Sequence, residues 1–429
     1  MRNRRSIAWA AAVLGASLVV SGCGSGGSGN GPTVAEPLRI GTLVPHTGAM
    51  AQVGPAEAAG IAMAAHDVNA AGGVLGQPIS IVDGDSGDVY SSIASQSVDN
   101  ELAAKVQAIV GATGSSVTLT VIDKIVGAGV VEISPGDAST ALSSYPDDGL
   151  YFRTVPADTA EATVLSDRIR QAGHTSVAIV VVHDLYGTGL ADELKADIES
   201  WHGHAVQIQY DGRAQSFVST VAQVSASGAQ AVVLIGFAET VKIIREMVKE
   251  GVGPAVLPLY LSDLALSNVL AAELAPGTMA GAEGVRPGGP ASASFLARLA
   301  AQASGLTDVG YAAQAYDSVV LLSLAAQAAQ STRGKAIAAQ LPAITHGRAR
   351  CQSYQDCLKL LRTGNSITYV GASGPLPLTA GGNLGSGQLG IFRFGPNGTY
   401  PPTGLAYVTK SGGTSGAAPS QSSSSAAGG

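Results

Sequence analysis

Two short stretches rich in glycine and hydroxyl groups carry the chemistry open to this chain. One is Gly111-Ala-Thr-Gly-Ser-Ser116 and the other is Ser134-Pro-Gly-Asp-Ala-Ser139. Gly114 and Gly136 let backbone N–H groups approach a bound molecule closely, while Ser115, Ser116 and Ser139 add hydroxyls. The first stretch feeds a helix N-terminus, whose unpaired N–H groups favour a negative group such as a carboxylate. No lysine follows the glycines, so a nucleotide-binding P-loop is not supported. The same residues would also serve as plain strand-to-helix turns, which need only small side chains.

Two buried strands must position these turns. The pattern predicts a strand over Ala108–Val110, a helix over Val117–Val126 and a second strand over Val130–Ile133. A parallel sheet places both turns at the carboxyl ends of its strands, where open α/β sheets bind ligands. The alternation runs on in both directions. Upstream lie a strand from Leu38, a helix from Pro55 to Asn69, a strand over Ile79–Val82 and a helix over Ser92–Lys105. Downstream of Pro156 it restarts with helix Thr159–Gln171, the all-apolar strand Val177–Val182, helix Gly189–Trp201 and strand Ala205–Gln209. Helix Phe217–Ser227, strand Ala231–Ile235, helix Glu239–Glu250 and strand Leu257–Leu261 complete the series. Apolar strands separated by amphipathic helices imply parallel sheets covered on both faces. Because the pattern occurs on each side of Val155, two α/β lobes are expected. Helices over Ser292–Ala303, Tyr311–Ala329 and Lys335–Leu341 follow, then short Gly/Pro-rich strands between Ile367 and Tyr407.

The net charge of −7 argues against nucleic-acid binding. Only 13% of residues are charged, against about 25% in typical domains, so each charge near a predicted loop carries weight. At the N-terminus, Arg2, Arg4 and Arg5 precede an apolar run, Ile7–Val20, too short to span a bilayer comfortably. It ends in Val20-Ser-Gly-Cys23, which resembles the lipobox of bacterial lipoproteins, whose cysteine carries the lipid anchor. A signal peptide over residues 1–22, a flexible tether over 23–37 and a disordered tail over 411–429 are expected. With Cys23 assigned to lipid, Cys351 and Cys357 remain in an exported chain, and a disulfide closing a small loop is expected. No metal site or cofactor is expected.

The ordered set of motifs resembles the type I solute-binding proteins of ABC importers, in particular the branched-chain amino-acid-binding (Leu/Ile/Val) group. The matching pieces are Arg39–Gly48, Asn69–Gly76, Gly111–Ser116, Ile133-Ser-Pro135, Asp184-Leu-Tyr-Gly-Thr-Gly189, Ala315-Tyr-Asp317 and Tyr369–Pro375. The spacing of Cys351 and Cys357 also resembles a subgroup of this family. The resemblance implies two lobes joined by three hinge strands: 38–155 with 286–372, and 156–285 with 373–410. It implies capture of a small polar solute, an amino acid or similar compound, by a monomer that delivers it to an ABC permease and its ATPase subunits. It further implies that the first-lobe turns hold the solute's carboxylate through Ser115, Gly136 and Ala138, with Thr113, Gly114, Ser116 and Asp137 on the same two bends. Tyr186 would contribute an aromatic ring from the second lobe, Phe237 a second, and Asp263 would pair with the ammonium.

The chain departs from the family at Val53, where an aromatic is expected, and at Phe237, which lacks a hydroxyl. Asp137 would oppose a ligand carboxylate if it pointed inward. Each contact also has a structural role open to it: Ser115 as helix cap, Tyr186 as a turn residue, Asp263 as an N-cap and Phe237 as core. A hydrolase reading of Gly84-Asp-Ser-Gly87 with His66 lacks the β-barrel frame and orienting acid such chemistry needs. His202-Gly-His204 lacks a third ligand for a metal. A lipoprotein that senses a solute and signals to a membrane partner would use the same cleft.

Overall fold

In the computed structural model, which describes residues 36–411, the apolar runs become strands of two principal sheets. The expected signal peptide, Cys23, most of the tether and nearly all of the tail lie outside the described residues. The first sheet contains β1 (Arg39–Val44), β2 (Ser80–Asp85), β3 (Ala108–Gly111), β4 (Val131–Ser134) and β5 (Tyr151–Arg153). Its order is β2-β1-β3-β4-β5, and every pairing is parallel. Because β3 and β4 are adjacent, both glycine–hydroxyl turns emerge side by side at one sheet edge, as expected.

The second sheet contains β6 (Ser176–Val182), β7 (His204–Tyr210), β8 (Ala231–Ile235), β9 (Leu259–Leu261) and β10 (Glu283–Pro287). A small third sheet follows, of β11 (Ala349–Cys351), β12 (Ile367–Gly371) and β13 (Gly374–Pro375). The chain then returns to the second sheet with β14 (Ser386–Arg393) and β15 (Ala406–Ser411). The second sheet is thus mixed rather than wholly parallel: β14 runs antiparallel to β10 and to β15. Strands β14 and β15 are joined without a covering helix and turn straight back on each other, whereas β14 reaches β10 only after the intervening helices and the small sheet. Passage between the sheets occurs three times: after β5, after β10 and between β13 and β14.

Strands β3, β4, β8, β9 and β10 are buried at every position, and β3, β8 and β9 accordingly read as unbroken apolar runs rather than alternating ones, while β4 and β10 bury Glu132, Glu283 and Arg286. The helix Ala312–Ala329 is buried along nearly its whole length and packs on helix Gly54–Ala70 against the first sheet. One hydrophobic cluster contains residues of both lobes, among them Met50, Val117, Tyr186 and Leu190. The lobes therefore share apolar contact across the cleft.

Cys351 and Cys357 are joined as a disulfide, with Cα atoms 5.3 Å apart, tying β11 to the helix Tyr354–Arg362. Closing so short a loop removes unfolded-state entropy equivalent to about 2 kcal/mol. Urea denaturation with and without reductant should differ by that amount, and identical midpoints would show that the bridge does not contribute.

Candidate functional site

The first turn is shaped by a contact that only glycine allows. Gly114 has φ of 102°, and a Cβ there would lie 2.7 Å from the Met50 Cε. Met50 thus covers the turn from the loop before helix Gly54–Ala70. Val53, where an aromatic is expected, is buried at that helix's start. The helix Ser115–Gly127 begins directly after Gly114. As its first two residues, Ser115 and Ser116 have N–H groups with no intrahelical acceptor. The Ser115 Oγ accepts the Ser139 N–H (3.1 Å), which leaves its own proton to donate elsewhere. Ser116 reaches across the cleft, its hydroxyl donating to the Asp184 Oδ2 (3.0 Å).

The second turn is organised differently from the expectation. The Ser134 hydroxyl donates to the Ala112 carbonyl (2.6 Å) and accepts the N–H groups of Gly136 (3.2 Å) and Asp137 (2.9 Å). The Gly136 amide is therefore engaged within its own turn and is not free for a carboxylate. Gly136 matters for space, because a Cβ there would lie 2.7 Å from the Thr113 Cγ2. The Ala138 carbonyl accepts the Asp158 N–H (2.7 Å).

Two anticipated contacts turn away from the cleft. Thr113 spends its hydroxyl on the buried Glu57 carboxyl, 2.7 and 2.9 Å from its two oxygens. Asp137 lies behind the turn, where its Oδ2 accepts from the Thr118 hydroxyl (2.5 Å) and the Tyr151 hydroxyl (3.0 Å). Burial pushes Asp137 up to about 6, with those hydrogen bonds pulling the other way. It does not aim a like charge at a ligand.

Across the gap, Tyr186 lies inside the first turn of helix Leu185–Ser200, four residues earlier than the expected start at Gly189. Asp184 explains the shift: its side chain caps the helix by accepting the Gly187 N–H (2.7 Å). The Tyr186 ring stacks on Phe237 with centroids 5.6 Å apart. Phe237 is held by its N–H donating to the Glu239 Oε1 (3.0 Å), itself an acceptor from the Tyr210 hydroxyl (2.8 Å). The Tyr186 hydroxyl donates to the Asp263 Oδ1 (2.5 Å), and the Tyr311 hydroxyl donates to its Oδ2 (2.5 Å). Burial raises Asp263 above the usual carboxylate range, opposed by those tyrosine bonds.

Gly114, Ser116, Tyr186 and Phe237 line one cavity with Met50 and Tyr90. Its volume is about 20 Å³, room for a single water. A solute enters only if the walls separate. Polar contacts that join them include Ser116 to Asp184, the Ala238 N–H to the Ala49 carbonyl (3.2 Å), and the Gln52 side chain to the Leu264 carbonyl (3.3 Å).

Met50, Asp158, Glu161, Asp184 and Tyr311 were not among the expected contacts. Asp184 stands two residues before Tyr186 in a matched motif, and the scarcity of charge pointed weakly to Asp158 and Glu161. Tyr311 has no local signal, being 48 residues from the Asp263 it bonds.

Comparison with known proteins gives a consistent picture. A family described as periplasmic binding protein matches residues 37–349. The Leu/Ile/Val-binding protein homolog 1 of Brucella melitensis is 30% identical over 313 residues, covering 70% of this chain and 81% of that one. An amino acid binding protein of Pseudomonas aeruginosa is 31% identical over 220 residues, which span 49% of this chain and 57% of that protein. Among solved structures, the branched-chain amino acid transporter substrate-binding protein LivJ of Streptococcus pneumoniae, in complex with isoleucine, superposes with a TM-score of 0.71 at 21% identity. That match covers 88% of this chain and all of the other. Among the described residues, no helix is long and apolar enough to cross a membrane.

Proposed function

The chain belongs to the periplasmic binding protein family, and from that premise we propose that it is the lipid-anchored capture component of an ABC importer for an amino acid or a closely similar compound. The single observation that supports this most is the polarity of the two walls. One offers hydroxyls and helix N-terminal N–H groups at Ser115 and Ser116; the other carries Asp184 and Tyr186, with the buried Asp263 carboxylate and its two tyrosines behind the Tyr186 ring. A donor-rich wall facing an acidic one suits a zwitterion, carboxylate on the first and ammonium on the second. The apolar rings of Tyr186 and Phe237, with Met50, would enclose the side chain.

Closure proceeds by docking on the first lobe followed by rotation of the second lobe over the solute, excluding water. The closed form is the one that the permease recognises, and the lipid on Cys23 holds the protein beside it. The direct test is mass spectrometry of solute released from purified, denatured protein. An amino acid is the expected find, and a ligand panel of amino acids that leaves the melting temperature unchanged would refute the reading. Ser115→Ala should weaken binding about tenfold by removing one hydrogen bond to a charged group. Unaltered affinity would remove Ser115 from the site.

A further inference from the structure

Three carboxylates lie close together behind the Tyr186 wall of the cleft. Asp158 and Glu161 lie in the first turn of the helix Asp158–Gln171, and Asp263 follows β9. The Glu161 Oε1 accepts the Asp263 N–H (3.0 Å), so the second-lobe helix and the end of β9 are joined here. All three side chains are at most 2% exposed. Asp158 leaves both carboxylate oxygens without a hydrogen-bond partner, and Glu161 leaves its Oε2 without one. The Asp158 Oδ2 and the Ser139 Oγ lie 4.0 and 3.9 Å from the point where a Cβ on Gly189 would sit. The unpartnered oxygen and the hydroxyl of the second turn thus border one space in front of Gly189, on the helix Leu185–Ser200.

A helix start favours acids by about 0.3–1 kcal/mol, which is small beside the several kcal/mol that desolvating each ion costs. Helix capping alone does not account for two such residues here. Nor is there a cation in contact among the described residues. Arg153 donates to the carbonyls of Asp137 and Ser139 and to the Ser143 hydroxyl, and Arg286 pairs with Asp308. Tyr186 and Tyr311 donate only to Asp263; the more distant charges of Arg153 and Arg286 favour ionisation of Asp158 and Asp263 respectively, while Glu193 and Asp137 oppose it at Asp158. One ammonium, held by Asp263, would leave two acids unanswered.

We propose that Asp158, Glu161 and Asp263 form a single cation pocket, and that the solute this cleft retains carries a second positive charge, as basic amino acids and short diamines do. The inference rests on the reading of the cleft as an amino-acid site and narrows it to a class. Burial raises all three acids, and the neighbouring carboxylates raise Asp158 and Glu161 further, so entry of a cation favours loss of protons from the site.

Titration calorimetry of the full chain with L-leucine, L-arginine and putrescine, in two buffers of different ionisation enthalpy, tests this. Arginine or putrescine should bind at least about tenfold more tightly than leucine and release more protons per molecule bound. Glu161→Gln keeps an acceptor for the Asp263 N–H and should bring that ratio close to unity. Asp158→Asn should do the same, and melting curves of both variants identify one that has merely failed to fold. Leucine binding as tightly as both cations, or a ratio unchanged in both folded variants, overturns the proposal while leaving amino-acid capture standing. Failure of all three compounds to bind overturns both.

Discussion

A chain carrying Asp263→Ala should bind its solute at least about a hundredfold more weakly than the unaltered chain. Two losses add. The first is the charge partner of the solute's ammonium. The second is a latch between walls: the Asp263 carboxylate takes the Tyr186 hydroxyl from the second lobe, and the Tyr311 hydroxyl from the start of a helix packed on the first. Truncation leaves two buried phenol donors unpaired in the closed form, at roughly 1–3 kcal/mol each. In an open form water satisfies them, so the opening–closing equilibrium moves toward open and apparent affinity falls with the closed population. Asp263→Asn keeps an acceptor oxygen for one tyrosine and should fall between the two. Calorimetry reads the affinity, and small-angle scattering reads the compaction on adding solute. An Ala variant that binds and compacts like the parent would take Asp263 out of the mechanism.

The second large effect is on stability against pH. Glu57 and Glu101 are buried, and burial pushes each up to about 8 from the ordinary carboxylate range, opposed by one hydrogen bond apiece from Thr113 and the Thr42 N–H. A carboxyl raised in the folded state is protonated there while the unfolded chain has already released its proton. Its contribution is complete below the unfolded value and is lost as pH rises through the folded one. Each group should therefore remove roughly 1.4 kcal/mol per pH unit between the unfolded value and about pH 8. Asp308 and Glu283, held low by arginines, act in the opposite sense and only in more acid solution. Resistance to urea should peak near pH 5 and decline toward pH 8.5. Glu57→Gln keeps an acceptor for the Thr113 hydroxyl and should stabilise the protein by about 2–4 kcal/mol at pH 8.5, with little change at pH 5. A profile flat across this range, or a Gln variant no more stable at high pH, would show these carboxyls to be hydrated.

Chain order alone carried much of the architecture. Val177–Val182 and Ala231–Ile235 could only be strands buried on both faces, and Gly111–Ser116 and Ser134–Ser139 had to leave one sheet edge together once their strands ran parallel. Those features depend on residues near one another in sequence, where periodicity and turn chemistry act. The mixed second sheet was less legible. The Gly/Pro-rich stretch before Tyr407 marks short strands but not their partners, and β14 meets β10 about a hundred residues upstream.

At the site, the sequence by itself determined which residue types stand on the two bends, and the family resemblance implied an acid and an aromatic answering them from the second lobe. Only the tertiary structure decided which way they point. Thr113 and Asp137 turn from the cleft because Glu57, Thr118 and Tyr151, distant along the chain, satisfy them from behind. Asp158, Glu161, Asp263 and Tyr311 gather at one point because two separate crossings between the sheets return the chain there. A side chain's hydrogen-bonding and charge partners are set by through-space distance, and local sequence patterns carry no record of it.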